Sequence, residues 1–273
     1  MKLRVIHETV YHYSPAVQNA QHMAHLRPRT GVVQRVLTHS LQVDPAPTQC
    51  NMVQDVFGNT RAFFSLPFTH EQLRVRAESL LETLPVPAAP PGEPWEAVRE
   101  RLGYRRGQPY HAATEFSFAS PYIPRHADFV AYAAESFAPG RPLMQAARHL
   151  MSRIHADFAY TANATDAGTP ALESLRLRRG VCQDFAHVMI GCLRSMGLAA
   201  RYVSGYLLTE PPPGQPRLVG ADASHAWVSV WSPAADESDG ASDNNTWFDL
   251  DPTHDRAAGE DYVTLAIGRD FSD

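Results

Sequence analysis

The residues most able to do chemistry are in the stretch 179–187, RGVCQDFAH, where Cys182 opens a predicted amphipathic helix. The first backbone N–H groups of a helix have no partners within it, and the helix dipole places partial positive charge at this end. Both effects favour the thiolate form of a cysteine over the thiol. The sequence therefore predicts that Cys182 is a nucleophile.

A cysteine nucleophile needs a base within reach, and the base needs a partner that orients it. His225 begins one predicted strand, and Asp251 ends the next strand just before a proline. Two neighbouring strands could bring the imidazole and the carboxylate together. We predict that Asp251 binds the Nδ1 proton of His225, so that Nε2 faces the sulfur of Cys182. Asp249 shares the strand face of Asp251, so periodicity alone does not choose between the two carboxylates.

Other residues near the nucleophile have simpler explanations. Cys192 lies in the apolar stripe of the same helix, and we interpret it as a core residue. His187 lies about one and a half turns past Cys182, and we interpret it as a hydrogen-bonded structural histidine. Asp184 stands in the first helical turn, where it caps N–H groups or helps to order the active-site loop. Cys50 falls in a predicted polar loop and has no expected role.

Residues 1–84 predict an antiparallel β domain. Apolar and polar residues alternate over 3–7, 35–43 and 60–66, which is typical of strands. Gly58 and Asn59 separate two apolar runs and predict a hairpin, because both residue types tolerate positive φ.

The proline-rich stretch 84–94 predicts a semi-rigid connection. Residues 85–157 are predicted to form a linker and a helical region, with helices at 95–102, 128–137 and 142–158. Residues 158–273 are predicted to form a core with the helix that begins at Cys182, followed by strands at 200–208, 225–231 and 245–251.

Composition limits the class of protein. The chain has 273 residues, enough for two domains, and a formal charge of -5, which argues against a nucleic-acid partner. It has neither a signal-peptide pattern nor a run of about 18 apolar residues, so we expect a cytoplasmic protein without a membrane partner. The three cysteines have no CxxC spacing and the thirteen histidines no HExxH spacing, so we expect neither a disulfide framework nor a metal. Nothing in the sequence defines an oligomeric state.

Four runs together resemble the bacterial transglutaminase-like superfamily: 179–187 (RGVCQDFAH), 200–206 (ARYVSGY), 222–228 (DASHAWV) and 248–253 (FDLDPT). The resemblance extends over about 158–253, and the first 80 residues look like the β domain that precedes the core in many bacterial members. It implies an α+β fold with a papain-like core, in which a helix with the cysteine packs on an antiparallel sheet with the histidine and aspartate. It also selects Asp251, because that aspartate precedes Pro-Thr.

The resemblance implies acyl transfer from a peptide or protein amide through a thioester on Cys182, without a cofactor, a metal or calcium. We expect hydrolysis, as in a cysteine protease or amidase. Two alternatives stay open: cross-linking of the protein-glutamine gamma-glutamyltransferase type, and a non-catalytic scaffold that keeps the fold.

Supporting residues complete the expected site. They are the backbone N–H of Cys182 as oxyanion donor, Gln183 and Asp184 beside it, and Trp227 and Tyr206 as walls of the cleft. Two departures from the family pattern are visible. Ser229 stands where many members have glutamate, and none of the four tryptophans lies shortly before Cys182, where animal transglutaminases have an oxyanion donor. We therefore expect a second donor elsewhere.

Overall fold

The computed structural model describes residues 1–86, 88–89, 92–104, 106–107, 111–208, 224–233 and 247–273. The strands in this part of the chain are β1 (Lys2–Val17), β2 (Ala20–Arg27), β3 (Gln34–Asp44), β4 (Gln49–Gln54), β5 (Thr60–Leu66), β6 (His70–Thr83), β7 (Ala159–Tyr160), β8 (Arg179–Gly180), β9 (Ala200–Leu207), β10 (Ser224–Trp231), β11 (Trp247–Asp251), β12 (Arg256–Ala257) and β13 (Tyr262–Gly268). The helices are α1 (Trp95–Arg101), α2 (Ala127–Ala133), α3 (Leu143–Asp157), α4 (Ala171–Leu177) and α5 (Cys182–Ser195), with a 3-10 helix at Ala112–Ser117.

The first six strands form two antiparallel sheets, with the orders β1-β6-β3 and β2-β5-β4. Side chains along β6 mostly alternate between buried and exposed positions, as in a sheet with one covered face. Phe64, Leu66, Leu73 and Val75 form the buried apolar cluster. The predicted N-terminal antiparallel β region is confirmed.

The predicted hairpin joins β4 to β5. Gly58 has a φ of +75°, and the Asp55 carboxylate accepts hydrogen bonds from the backbone N–H groups of Phe57 (2.9 Å) and Asn59 (2.8 Å). One prediction for this region was wrong: Cys50 lies in β4 and not in a loop. Its neighbours alternate too weakly in polarity to show a strand, because every residue of β4 is exposed.

The chain divides into two compact units, one with the described residues of 1–86, 205–222 and 259–267, and one with those of 87–204, 223–258 and 268–273. The first division at residue 86 lies near the predicted connection, of which residues 87, 90 and 91 lie outside the described part. The return of 259–267 to the first unit was not predicted. It is visible in the Asn59 side chain, which exchanges two hydrogen bonds with the backbone of Ile267.

In the second unit α5 packs against β10 and against the helices α2, α3 and α4. The apolar stripe predicted from the sequence is buried, and Gly191 leaves room for the ring of Phe129, which would lie 2.8 Å from an added Cβ. The strands β12, β11, β10 and β9 are neighbours in this order in one sheet, in which β10 and β11 run antiparallel. The predicted α+β fold class, with a helix on an antiparallel sheet, is confirmed.

The predicted helices correspond to α1, α2, α3 and α5, with ends that differ by a few residues. The predicted strand at 245–251 begins outside the described residues, and its described part is β11. Among the described helices, none combines the length and the apolar character that a membrane crossing requires.

Candidate active site

The site is built where β10 begins and β11 ends. These strands pair antiparallel, with Val228 opposite Leu250, so the first residues of one lie beside the last residues of the other. Asp251 is completely buried, and its Oδ2 accepts a hydrogen bond from Nε2 of His225 at 2.7 Å. The structure therefore brings the predicted imidazole and carboxylate together.

Cys182 lies on the other side of the imidazole. It is the first residue of α5, is partly exposed, and forms a side-chain hydrogen bond with His225. Because Nε2 of His225 is bound to Asp251, Nδ1 is the ring nitrogen left for the sulfur. The predicted assignment of the two nitrogens was wrong, because the helix and β11 approach opposite edges of the ring and no local pattern encodes that choice.

The electrostatics of His225 follow from its two partners. Burial by itself lowers the pKa of this imidazole, but the hydrogen bonds and negative charges of Asp251 and Cys182 outweigh burial and raise the pKa to about 9. His225 is therefore an imidazolium at neutral pH. A cationic ring in contact with a sulfur is the arrangement found in cysteine nucleophiles.

Asp184 organises the N-terminus of α5. Its carboxylate accepts hydrogen bonds from the backbone N–H of Val181 (2.8 Å) and from the hydroxyl groups of Thr165 (2.6 Å) and Ser174 (2.7 Å). A Cβ at position 180 would lie 2.6 Å from Cγ of Asp184, so only glycine fits there. Asp184 thus both caps the helix and orders the chain before it, the two roles considered from the sequence.

Gln183 faces the same loop. Its side-chain amide donates a hydrogen bond to the carbonyl oxygen of Ala167 at 2.9 Å. This contact ties residues near 167 to the turn that bears the cysteine. A direct part for Gln183 in oxyanion binding stays a prediction.

The two aromatic residues expected at the cleft differ in position. Trp227 is completely buried, its ring centroid lies 6.1 Å from that of His225, and its Nε1 donates to Asp249 Oδ2 at 3.0 Å. It therefore supports the imidazole from within the core. Tyr206 belongs to the first unit, where its hydroxyl group lies 3.0 Å from Nδ1 of His7.

Cys192 and His187, which we interpret from the sequence as structural residues, are both buried. Burial raises the pKa of the Cys192 thiol, which lies in the core of α5. Burial lowers the pKa of His187 to about 4, so its ring is neutral, and Nε2 accepts the backbone N–H of Phe271 at 3.2 Å.

Two tyrosines near the sulfur were not singled out from the sequence. Tyr160 in β7 pairs with Gly180 in β8, two residues before Cys182, and its ring packs edge-on against Phe185. Burial raises the pKa of both Tyr160 and Tyr202, and the negative charge of Cys182 raises it further. Both phenols are thus in electrostatic range of the sulfur.

A second imidazole completes the site. Nδ1 of His254 lies 2.8 Å from the same Oδ2 of Asp251, and the rings of His254 and His225 are 5.1 Å apart. One ligand atom from each of these three residues lies within 4.8 Å of the others, so the group could also hold a metal ion. The only local sign of this second imidazole is that His254 directly follows the Asp-Pro-Thr run.

The fold and the site define an α+β protein in which a cysteine at a helix N-terminus meets a histidine–aspartate pair. Residues 3–82 match the bacterial transglutaminase-like N-terminal region, and residues 130–252 match the transglutaminase-like superfamily. The chain belongs to the transglutaminase-like superfamily, as the sequence predicts.

The chain is similar to several known proteins. An uncharacterized protein of Mycobacterium tuberculosis is 41% identical over 279 residues, which cover 100% of this chain and 85% of the relative. A protein-glutamine gamma-glutamyltransferase of Pseudomonas aeruginosa is 32% identical over 120 residues, which cover 43% of this chain and 16% of that protein. A solved structure of a candidate cysteine protease from Cytophaga hutchinsonii has a TM-score of 0.76 at 17% identity and covers 100% of this chain and 83% of that chain, which shows the shared fold.

Proposed function

We propose that the protein is a cysteine-dependent acyl transferase that acts on peptide or protein amides, with hydrolysis as the main outcome. The observation that carries the proposal is the contact chain from Cys182 through His225 to Asp251. These three residues come from α5, β10 and β11, and the pKa of about 9 keeps the imidazole charged at neutral pH.

In the first step the Cys182 thiolate attacks the amide carbonyl carbon, and the C=O electron pair moves to oxygen. The tetrahedral intermediate then collapses, the C–N bond breaks, and the Nδ1 proton of His225 passes to the departing amine. The product is a thioester on Cys182. Asp251 holds Nε2 throughout and so keeps Nδ1 directed at the sulfur.

In the second step neutral His225 takes a proton from water, the hydroxide oxygen bonds to the thioester carbon, and the C–S bond breaks. A carboxylic acid leaves, and the thiolate–imidazolium pair is restored. A primary amine in place of water yields a new amide. The name of the Pseudomonas relative, a gamma-glutamyltransferase, supports retaining this second outcome as an alternative.

The oxyanion needs two donors. The backbone N–H of Cys182 opens the helix and has no carbonyl four residues back within it. We assign the second donor to the Tyr160 hydroxyl group. The pairing of Tyr160 with Gly180 and the influence of the Cys182 charge on its pKa support this choice.

The function is tested by alkylation and by intact mass. Iodoacetamide is expected to label Cys182 faster than the exposed Cys50 of the same chain, which is the internal control. Incubation with a peptide library, with and without a primary amine, is expected to leave an acyl adduct on Cys182 that is absent in Cys182→Ala. Equal labelling of the two cysteines, and no adduct, would favour the non-catalytic scaffold.

A further inference from the structure

Asp251 accepts more hydrogen bonds than a histidine-orienting carboxylate needs. Its Oδ1 accepts the backbone N–H of Thr253 at 2.8 Å, and its Oδ2 receives both His225 and His254. A carboxylate can only accept, so each imidazole must present an N–H to this oxygen. His254 therefore donates through Nδ1, and its Nε2 is left for the solvent side, because 44% of the side chain is exposed.

The turn that carries His254 is fastened to α3. Nδ1 of His155 donates to the carbonyl oxygen of Thr253 at 3.0 Å, and the hydroxyl group of Ser152 donates to Oδ1 of Asp255 at 2.6 Å. Asp255 has a positive φ of 51°, which bends the chain back so that Arg256 pairs with Asp251. The position of His254 is thus determined by the contacts of its turn with α3 and by the pairing of Arg256 with Asp251.

We propose that His254 is a positioning residue for the acyl-transfer site, which holds the Asp251 carboxylate in the orientation that keeps Nδ1 of His225 on the sulfur. This inference rests on the proposed function. His254 acts through Asp251 and His225, and the reacting atoms stay with Cys182.

The physical reason is the geometry of Oδ2. Two N–H donors at 2.7 Å and 2.8 Å restrain its position, and together with the Thr253 N–H they restrain rotation of the whole carboxyl group. Without His254, Oδ2 loses a donor that takes no part in the proton transfer and keeps His225, which does take part. The loss of one hydrogen bond to a charged group corresponds to a change of about 10-fold in an equilibrium constant, and we expect a change of that size in the reactivity of Cys182.

The test compares His254→Ala with His254→Asn, because the Asn amide nitrogen can occupy the place of the imidazole Nδ1. In the alanine variant we expect alkylation of Cys182 at neutral pH to slow by about 10-fold. In the asparagine variant we expect a rate within about twofold of the wild type. His12→Asn is the matched control, since His12 is an exposed histidine in β1.

A second readout does not depend on reactivity. The proton between His225 Nε2 and Asp251 is expected to give a downfield NMR signal in the wild type, to broaden into solvent exchange in His254→Ala, and to return in His254→Asn. An unchanged signal in all three proteins overturns the positioning role, even if Cys182 is reactive. If Cys182 reacts no faster than Cys50 while the signal follows the expected pattern, the proposed function fails and the link from His254 to His225 stands.

The same protein preparations separate positioning from metal binding. Every variant and one wild-type sample are measured with a chelator, and a second wild-type sample is measured without it. If the chelator alone slows the wild type as much as His254→Ala does, His254 acts as a metal ligand and the positioning role is wrong. Equal alkylation rates of wild-type Cys182 with and without the chelator support the positioning role.

Discussion

Replacement of Asp251 by asparagine tests the central pair of the site. The pKa of His225 rises from 6.5 to about 9 although burial opposes the rise, and this corresponds to about 3 kcal/mol in favour of the imidazolium. The Asp251 hydrogen bond is the largest of the contributions that raise it. We expect Asp251→Asn to lower the pKa of His225 by about 1 to 3, the usual effect of a neighbouring opposite charge.

The sign of the pH dependence follows from the direction of the shift. A raised pKa stabilises the folded protein fully below pH 6.5, and that contribution is lost as the pH rises through about 9. Activity that needs the imidazolium as proton donor should therefore fall above about pH 9 in the wild type and at lower pH in Asp251→Asn.

The assay is an NMR titration of ¹⁵N-labelled histidine, with the His225 signal assigned from a His225→Gln variant. Alkylation of Cys182 is followed in parallel. Asp249→Asn is the matched control: its carboxylate lies two residues earlier on β11 and accepts Trp227 Nε1, and an amide oxygen can still accept that bond. A His225 signal that still titrates near pH 9 in Asp251→Asn, or moves equally in Asp249→Asn, would refute the reasoning.

Three further predictions concern the supports of the site and the fold. Gly180→Ala places a Cβ 2.6 Å from Cγ of Asp184, and we expect a loss of about 1–3 kcal/mol in unfolding free energy by urea titration, with slower labelling of the nucleophile. Asn59→Ala leaves the backbone N–H and C=O of Ile267 without their side-chain partner, and we expect a loss of about 2–4 kcal/mol in the same titration. Tyr160→Phe should slow acyl-enzyme formation on a peptide about 100-fold and leave iodoacetamide labelling unchanged, because alkylation forms no oxyanion.

Each of these variants has a control in the chain. A Cβ added at Gly31 meets nothing within 4 Å, and Asn51 is exposed on β4. We therefore expect Gly31→Ala and Asn51→Ala to have free energies of unfolding within about 0.5 kcal/mol of the wild type. Tyr104 is 91% exposed, and the Tyr104→Phe variant should form the acyl-enzyme at the wild-type rate. Equal effects in a variant and its control would contradict the contact proposed for that residue.

Most of the local structure was predictable because it is encoded in short patterns. Alternation defines strands such as β5, the apolar stripe defines α5, and Gly58 with Asn59 defines the hairpin. The exposed strand β4 was missed because neither of its faces is covered, and an uncovered strand carries no alternation.

The sequence alone was enough to predict the positions of Cys182, His225 and Asp251 on their helix and strands, since a helix start and two strand ends are local features. Only the tertiary structure decided which imidazole nitrogen meets which partner, and it reversed the expected assignment. It alone also placed His254 on Asp251, because that contact depends on a turn held by α3, about 100 residues earlier in the chain. Local sequence sets the conformation of each segment, whereas contacts between distant segments depend on how those segments pack.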